Sequence, residues 1–276
     1  MENLVYTVIL SIAGSDSGGA AGIQGDLKTI SALGCFAATA ITAVTAQNTM
    51  GVTAVHGIPP EIVRAQVIAI MEDLKPAAIK IGMVYSAEVA AILASTLGSY
   101  PSIPIIFDPV MVASTGHKLM SEDTIQRIQQ DLFSISHLIT PNLDEARILA
   151  KMDIPDLAHM KLAAKKIIKY GSFAVLIKGG HLGTDDLYDV YLDQNGREHV
   201  FHSKSILSKN THGTGCSLSS AIATYLALGE TLIDSIYSAK SYIHTAIQQG
   251  KNVTLGSGTG PLNHFFEPKK MLKKEA

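Results

Sequence analysis

Two periods alternate along the chain. Val5 to Ala13 is a short apolar run rich in β-branched residues that ends at Gly14, and it predicts a buried strand. After a turn rich in Gly and Ser, helical spacing runs from Ile23 to Leu33 and closes at Gly34. Phe36 to Ala46 reads as a strand leading to Gln47-Asn48. Pro59-Pro60-Glu61 opens a helix that continues to Leu74, and Ala77 to Ile81 is the next strand. Ser86 caps a helix to Leu97, followed by a strand from Ile103 to Phe107. Ser121 caps a helix to about Phe133, followed by a strand from His137 to Ile139. Helices are expected over Leu143 to Ala150 and Asp156 to Tyr170, then a strand from Phe173 to Ile177. A hairpin pairs Asp186 to Leu192 with Glu198 to Ser203 through Gln194-Asn195-Gly196. The last two helices run from Gly215 to Leu228, ending at Gly229, and from Leu232 to Gln249, with Gly250 at the end.

Short apolar strands alternating with helices imply right-handed crossovers and a mostly parallel sheet covered on both faces, in one domain over residues 1–276. Gly14-Ser15-Asp16, Gln47, Gly82-Met83, Asp108, Asn142 and Lys178-Gly179 each follow a strand. In a parallel sheet they emerge together at the carboxyl edge, where such sheets bind ligands.

Composition narrows the chemistry. A net charge of −2 lacks the basic footprint of a nucleic-acid binder, so no nucleic-acid partner is expected. No apolar run approaches the ~20 residues that span a bilayer, and the start at Met1-Glu2-Asn3-Leu4 has no basic segment of a secretion signal. A cytoplasmic protein without a membrane partner is expected. Cys35 and Cys216 form no CxxC motif, and the close pair His199 and His202 reads as an exposed strand face. There is no G-x-x-x-x-G-K-[ST], no G-x-G-x-x-G after the first strand and no G-x-S-x-G around Ser15 or Ser17.

What remains centres on Asn210-Thr211-His212-Gly213-Thr214-Gly215-Cys216, a glycine turn running directly into a helix. Free amides of a first helical turn and the positive end of the peptide dipole make a place for phosphate oxygens. Cys216 falls inside that field, where a thiolate is favoured and can act as base or nucleophile near neutral pH; its other reading is a small buried hydrophobe. Lys178 supplies a cation, and Asp108 and Glu145 supply carboxylates suited to Mg²⁺, the parts that phosphoryl transfer requires.

Seven strings in order carry a resemblance. Ala13 to Thr29, Ala43-Val44-Thr45-Ala46-Gln47-Asn48-Thr49, Lys80-Ile81-Gly82-Met83, Asp108-Pro109-Val110-Met111, Ile139 to Ala146, Lys178-Gly179-Gly180-His181 and Asn210 to Cys216 resemble the hydroxymethylpyrimidine and phosphomethylpyrimidine kinases of thiamine biosynthesis. The resemblance implies an α/β, three-layer α/β/α ribokinase-like fold and stepwise phosphorylation of a hydroxymethylpyrimidine, first to the monophosphate and then to the diphosphate. ATP is the implied donor, Mg²⁺ the implied metal and a homodimer the implied assembly. It makes Gly213, Thr214, Gly215 and Cys216 the anion hole, with Cys216 as base. Asn142 and Glu145 become the N-x-x-E motif that positions Mg²⁺ and phosphate, with Lys178 and Thr211 on the nucleotide. Ala21, Asp26, Gln47, Met83 and Val110 would form the pyrimidine pocket; the carboxamide of Gln47 offers an aminopyrimidine both a donor and an acceptor.

Several of these residues have a second reading: Asp26 as an ordinary helix acid, Met83 and Val110 as core, Asp108 as a turn cap before Pro109. The opening string departs from the family pattern at Gly18, Ala20 and Gly25, and a positive φ at Ala20 would strain the loop by about 1 kcal/mol. Alternative functions are a pyridoxal or pyridoxine kinase and a non-catalytic ligand-binding protein on the same fold.

Overall fold

In the computed structural model, which describes residues 4–111, 120–180 and 186–275, side chains that alternate along each central strand go to two different cores. Ile9, Ala78, Ile106, Leu138 and Leu176 face one; Leu10, Ile12, Ile79, Phe107, Ile139 and Ile177 face the other. That alternation, with apolar residues on both sides, is what a sheet covered on both faces demands. The strands are β1 (Leu4–Tyr6), β2 (Val8–Asp16), β3 (Phe36–Asn48), β4 (Gly51–Gly57), β5 (Ala78–Ile81), β6 (Ile105–Phe107), β7 (Leu138–Ile139), β8 (Ala174–Ile177), β9 (Asp186–Asp193), β10 (Glu198–Lys204) and β11 (Lys273–Glu275). Their order in the main sheet is β10-β9-β8-β7-β6-β5-β2-β3-β4. The run from β8 to β3 is parallel throughout, while β9, β10 and β4 are antiparallel additions at the edges.

Helices cover both faces. Residues of α2 (Pro60–Asp73), α3 (Ala87–Leu97), α4 (Glu122–Arg127), α5 (Leu143–Ala150) and α6 (Leu157–Ile167) pack into the core that contains Phe107. Those of α1 (Gly22–Ala32), α7 (Thr214–Ala227) and α8 (Leu232–Gly250) pack into the core that contains Ile106. This is the three-layer α/β/α architecture that the sequence predicts. The expected caps also form: Ser86 accepts from the Val89 amide, Ser121 from the Thr124 amide, and Gly229 takes φ +98° beyond α7.

Several expectations need correction. The stretch 51–57, for which no strand is expected, is β4, and the first expected strand is broken at Thr7 into β1 and β2, with β1 pairing to β11. The helix expected from residue 121 to 133 is α-helical only to Arg127. It continues as a π turn over Ile128–Leu132 and a 3₁₀ turn over Phe133–Ile135. Ala20 is not among the residues with positive φ; Gly19 (φ +77°) and Gly22 (φ +55°) make those turns, so the anticipated strain at Ala20 does not arise. His181 lies outside the described residues.

Candidate active site

The parallel run brings the ends of β2, β3, β5, β6, β7 and β8 to one edge, as the sequence predicts. Three loops there are tied to the start of α7. In the first, the Asp16 carboxylate accepts the amides of Gly18 (2.8 Å), Ala20 (3.0 Å) and Ala21 (2.9 Å), curling the chain into α1. Burial opposes the charge on Asp16, but His212 and these amides hold its carboxyl below the usual range. In the second, at the tip of β3, Gln47 exchanges backbone bonds with Ser17: Ser17 Oγ donates to Gln47 O at 2.7 Å and accepts from its amide at 2.8 Å. The third is the anion loop itself. Gly213, at φ +85°, is the N-cap of α7, and a Cβ there would stand 1.9 Å from the Ala20 carbonyl. Only glycine combines that dihedral with that approach.

The Thr214 amide bonds to Thr211 O (3.3 Å) and the Ser217 amide to Gly213 O (2.9 Å). Among the described residues the amides of Gly215 and Cys216 have no such partner, which is the arrangement of an anion hole. A Cβ on Gly215 would lie 3.3 Å from Lys178 Nζ and 3.4 Å from Asp108 Oδ2, so a cation and a carboxylate stand directly beside the helix start. Lys178 donates to Asp108 Oδ1 at 2.7 Å, and Thr140 Oγ1 donates to the same oxygen at 3.0 Å. Lys178 is buried against its preference, yet Asp108 and Glu145 hold its ammonium above the ordinary lysine value.

Asn142 and Glu145 form a capping box at the start of α5. Asn142 Oδ1 accepts from the Glu145 amide (2.9 Å), and Glu145 Oε2 accepts from the Asn142 amide (2.8 Å). The N-x-x-E spacing is thus first a helix-start device, and it holds the Glu145 carboxylate beside Asp108. Burial pushes Glu145 up to about 7, with the Asp108 carboxylate adding to burial and Lys178 opposing it. Two carboxylates sharing one lysine are a donor set of hard oxygens short of a cation, and the residues fit Mg²⁺ completed by phosphate and water.

Beneath Cys216 lies a second pair that sequence reasoning missed. Lys80, fully buried on β5, donates to Asp26 Oδ1 (3.0 Å) and Oδ2 (2.9 Å). Ser11 Oγ donates to Oδ2 at 2.5 Å and Ser220 Oγ to Oδ1 at 2.7 Å. Ser220 sits one turn beyond Cys216 on the same face of α7, which places the pair under the thiol. A charged residue in the apolar run Ala78-Ile79-Lys80-Ile81 was the available signal. Asp26, expected on the pyrimidine pocket, is 0 % exposed and fully engaged, so its carboxylate belongs to the layer under the cleft.

The thiol needs a correction too. Expected to ionise readily, Cys216 is pushed up to about 11 by burial, with Asp26 and Asp108 adding to it; Lys80 and the Gly22 amide pull the other way without winning. Of the remaining expected residues, Ala21 and Val110 are half-buried at this edge, Met83 is buried against Gly14, and Thr211 is exposed. Gln47 is half-buried, its Oε1 3.1 Å from Thr45 Oγ1 and its Nε2 3.0 Å from His212 Nε2. His199 and His202 meet different partners, Tyr237 and Asp186.

Comparison with known proteins agrees with this geometry. Residues 16–263 match the family model described as phosphomethylpyrimidine kinase. The chain is 45 % identical over 259 residues to the hydroxymethylpyrimidine/phosphomethylpyrimidine kinase of Rhizobium meliloti, covering 94 % of this chain and 97 % of that protein. It is also 45 % identical to a thiamine biosynthesis bifunctional protein of Geobacter sulfurreducens, of whose length it spans only 52 %. Among solved structures, the phosphomethylpyrimidine kinase of Clostridium difficile superposes with a TM-score of 0.78 at 38 % identity, covering 87 % of this chain and 99 % of that one. The ADP complex of Bacillus subtilis pyridoxal kinase superposes with a TM-score of 0.87 at 34 % identity, covering 94 % and 98 %. Two carboxylates, a lysine and a helix start converging at the sheet edge are the parts of a phosphotransferase, and this chain, ribokinase-like in fold, belongs to the phosphomethylpyrimidine kinase family.

Proposed function

We propose that the chain transfers the γ-phosphoryl group of ATP to the hydroxymethyl oxygen of 4-amino-5-hydroxymethyl-2-methylpyrimidine, and then a second phosphoryl group to that phosphate, as a step of thiamine diphosphate synthesis. The observation that carries the reading is the gathering of Cys216, the Gly215 and Cys216 amides, Lys178, Asp108 and Glu145 around one helix start. Cys216, in its ionised form, takes the proton from the attacking hydroxyl as the new P–O bond forms, and ends as the thiol. The bond from the γ-phosphorus to the bridging oxygen breaks, and ADP leaves with that electron pair. The anion-loop amides and Lys178 stabilise charge on the phosphoryl oxygens. Asp108 and Glu145 would hold Mg²⁺, which when bound neutralises phosphate charge. Gln47, Ala21, Met83 and Val110 form the wall against which the pyrimidine rests, and Thr211 lies on the nucleotide side of the anion loop.

A phosphoryl transfer with a loose transition state asks little of its base until late, so the small ionised fraction of a thiol held up by burial can serve. The likeness to the B. subtilis pyridoxal kinase favours a second reading, in which the hydroxymethyl group of pyridoxal is the acceptor. Mass spectrometry of products from each alcohol with Mg-ATP tests both. Mono- and diphosphate from the pyrimidine, at higher kcat/KM than pyridoxal phosphate from pyridoxal, are expected. A preference for pyridoxal would replace the first reading with the second.

A further inference from the structure

A carboxylate on β9 lies opposite the working lysine and does not bind it. β8 and β9 are antiparallel, with Leu176 opposite Tyr191 and Ile177 opposite Val190. One further step of that register sets Asp189 opposite Lys178, and side chains so placed on one face of a sheet are close enough to pair. Alternation puts both on the face of Leu176 and Tyr191, the face covered by α7 and α8. A cross-strand ion pair is the arrangement expected of them. Instead, Lys178 reaches the other way, across β7, to Asp108 at 2.7 Å.

Asp189 is already occupied on both oxygens. Its Oδ1 accepts the Gly179 amide at 2.8 Å, and its Oδ2 accepts from Nζ of Lys240 on α8. The side chains are 9 % and 16 % exposed, so this is not a pair of solvated surface charges. The two contacts have different consequences. The bond to the amide replaces the next rung of the ladder, where Gly179 lies so close to β9 that a Cβ would stand 1.9 Å from the Tyr188 carbonyl. The Lys178 amide bonds to Pro141 O at 2.9 Å, so the backbone is fixed on both sides of the lysine side chain. The Lys240 ammonium supplies the counter-charge that Lys178 would otherwise supply.

We propose that Lys240 is a positioning residue: by satisfying Asp189 it leaves the Lys178 ammonium to Asp108 and the transferring phosphoryl group. This rests on the assignment of Lys178 to that group. Without Lys240, Asp189 is a buried carboxylate lacking a cation, and Lys178 is a cation within its reach. Drawn to β9, the ammonium leaves the helix start. Loss of Lys240 is then harmful chiefly because the Asp189 charge remains, and loss of both charges is not.

The test is kcat with the pyrimidine alcohol and Mg-ATP, with urea unfolding measured alongside, in the full-length protein and its variants. Lys240→Met is expected to lower kcat at least about tenfold, part of what loss of Lys178 costs, with the pyrimidine KM unchanged. Asp189→Asn keeps an oxygen for the Gly179 amide but has no charge with which to hold Lys178. The double variant carrying Lys240→Met and Asp189→Asn is therefore expected to recover kcat to within about threefold of wild type. A pair with a merely structural role gives the opposite order, in which two substitutions cost at least as much as one. A double variant no faster than Lys240→Met, or a Lys240→Met enzyme as fast as wild type, overturns the inference. Lys240→Gln, which keeps a hydrogen bond to Asp189 and removes the charge, is read in its place if Lys240→Met does not fold. It is expected to lose kcat several-fold, and wild-type kcat in it also overturns the inference. Lys178→Met separates the two layers of argument. If it leaves kcat unchanged, the assignment of Lys178 falls and the inference with it. If it lowers kcat while the Lys240 variants behave as wild type, the inference alone falls.

Discussion

Two lysine–aspartate pairs flank the start of α7, and they are built to opposite ends. Lys80 and Asp26 are sealed from solvent, one cation against one carboxylate, with Ser11 and Ser220 filling the remaining acceptor positions. Lys178 and Asp108 stand at the rim, where Lys178 is still 15 % exposed and Glu145 adds a second carboxylate that the lysine cannot also neutralise. The first pair is electrically complete and holds β2, β5, α1 and α7 together; the second is one positive charge short. A site that must receive Mg²⁺ and phosphate is best left in that state, because a finished ion pair has nothing to offer a ligand. The same thiol sits over one pair and beside the other, so its proton affinity reports on both.

The largest expected effects come from removing each lysine in turn. Lys80→Met leaves the Asp26 carboxylate buried without a counter-charge, and a loss of about 3–5 kcal/mol in urea unfolding is expected, enough to cost much of the folded population. Lys178→Met takes the cation from Asp108, which is 2 % exposed but keeps the Thr140 hydroxyl, so a smaller loss in unfolding than for Lys80→Met is expected while kcat falls about 10²- to 10³-fold. If Lys178→Met unfolds like Lys80→Met, or if Lys80→Met is as stable as the wild type, the division into a structural pair and a working pair is wrong.

A smaller effect distinguishes the pairs by pH. Glu145, at about 7 in the folded protein against 4.5 in an unconstrained chain, is a group whose folded value is raised. Its contribution to stability is therefore fully present below about 4.5 and is lost as pH rises through 7. At pH 8 the ionised carboxylate works against folding by up to about 3 kcal/mol. Glu145→Gln is expected to melt higher than the wild type at pH 8 and at the same temperature near pH 4.5, while losing activity because the second carboxylate is gone. Equal melting at both pH values would mean that Lys178 already neutralises the pair and that no cation is missing. The Lys80 pair, with no surplus carboxylate, gives no such crossover.

The contrast also marks what could be seen in the residues alone. The rim was legible: each rim residue ends a strand, and a parallel sheet delivers all strand ends to one edge whatever their separation in sequence. The anion loop was legible because a glycine turn and an apolar-periodic helix are local signals. Lys80 was not, since Asp26 lies 54 positions away and Ser220 reaches Asp26 across 194. The sign of the shift at Cys216 was missed for the same reason: the helix start is local, but the carboxylates that oppose it come from α1 and the end of β6. The strand β4 escaped because its residues are mostly exposed or half-buried and show no alternation of apolar positions.

The thiol supplies the finest measure of the two pairs. Held up to about 11, Cys216 is mostly protonated across the range in which the protein would be assayed, and its ionised fraction grows with every step toward alkali. Between pH 8 and pH 10 Glu145 has finished titrating, so kcat/KM for the pyrimidine alcohol is expected to climb about tenfold per pH unit without a plateau. Cys216→Asp, whose carboxylate is already ionised, is expected to be flat over the same range. Cys216→Ala is expected to be flat as well and about 10²- to 10⁴-fold lower in kcat. A wild-type profile that is level from pH 8 onward would mean that Lys80 and the helix start together outweigh burial and the two aspartates. The buried pair would then be part of the acid–base apparatus as well as part of the frame; if the wild-type profile climbs instead, Asp26→Asn, which removes a charge that holds the thiol up, is expected to bring a plateau to lower pH.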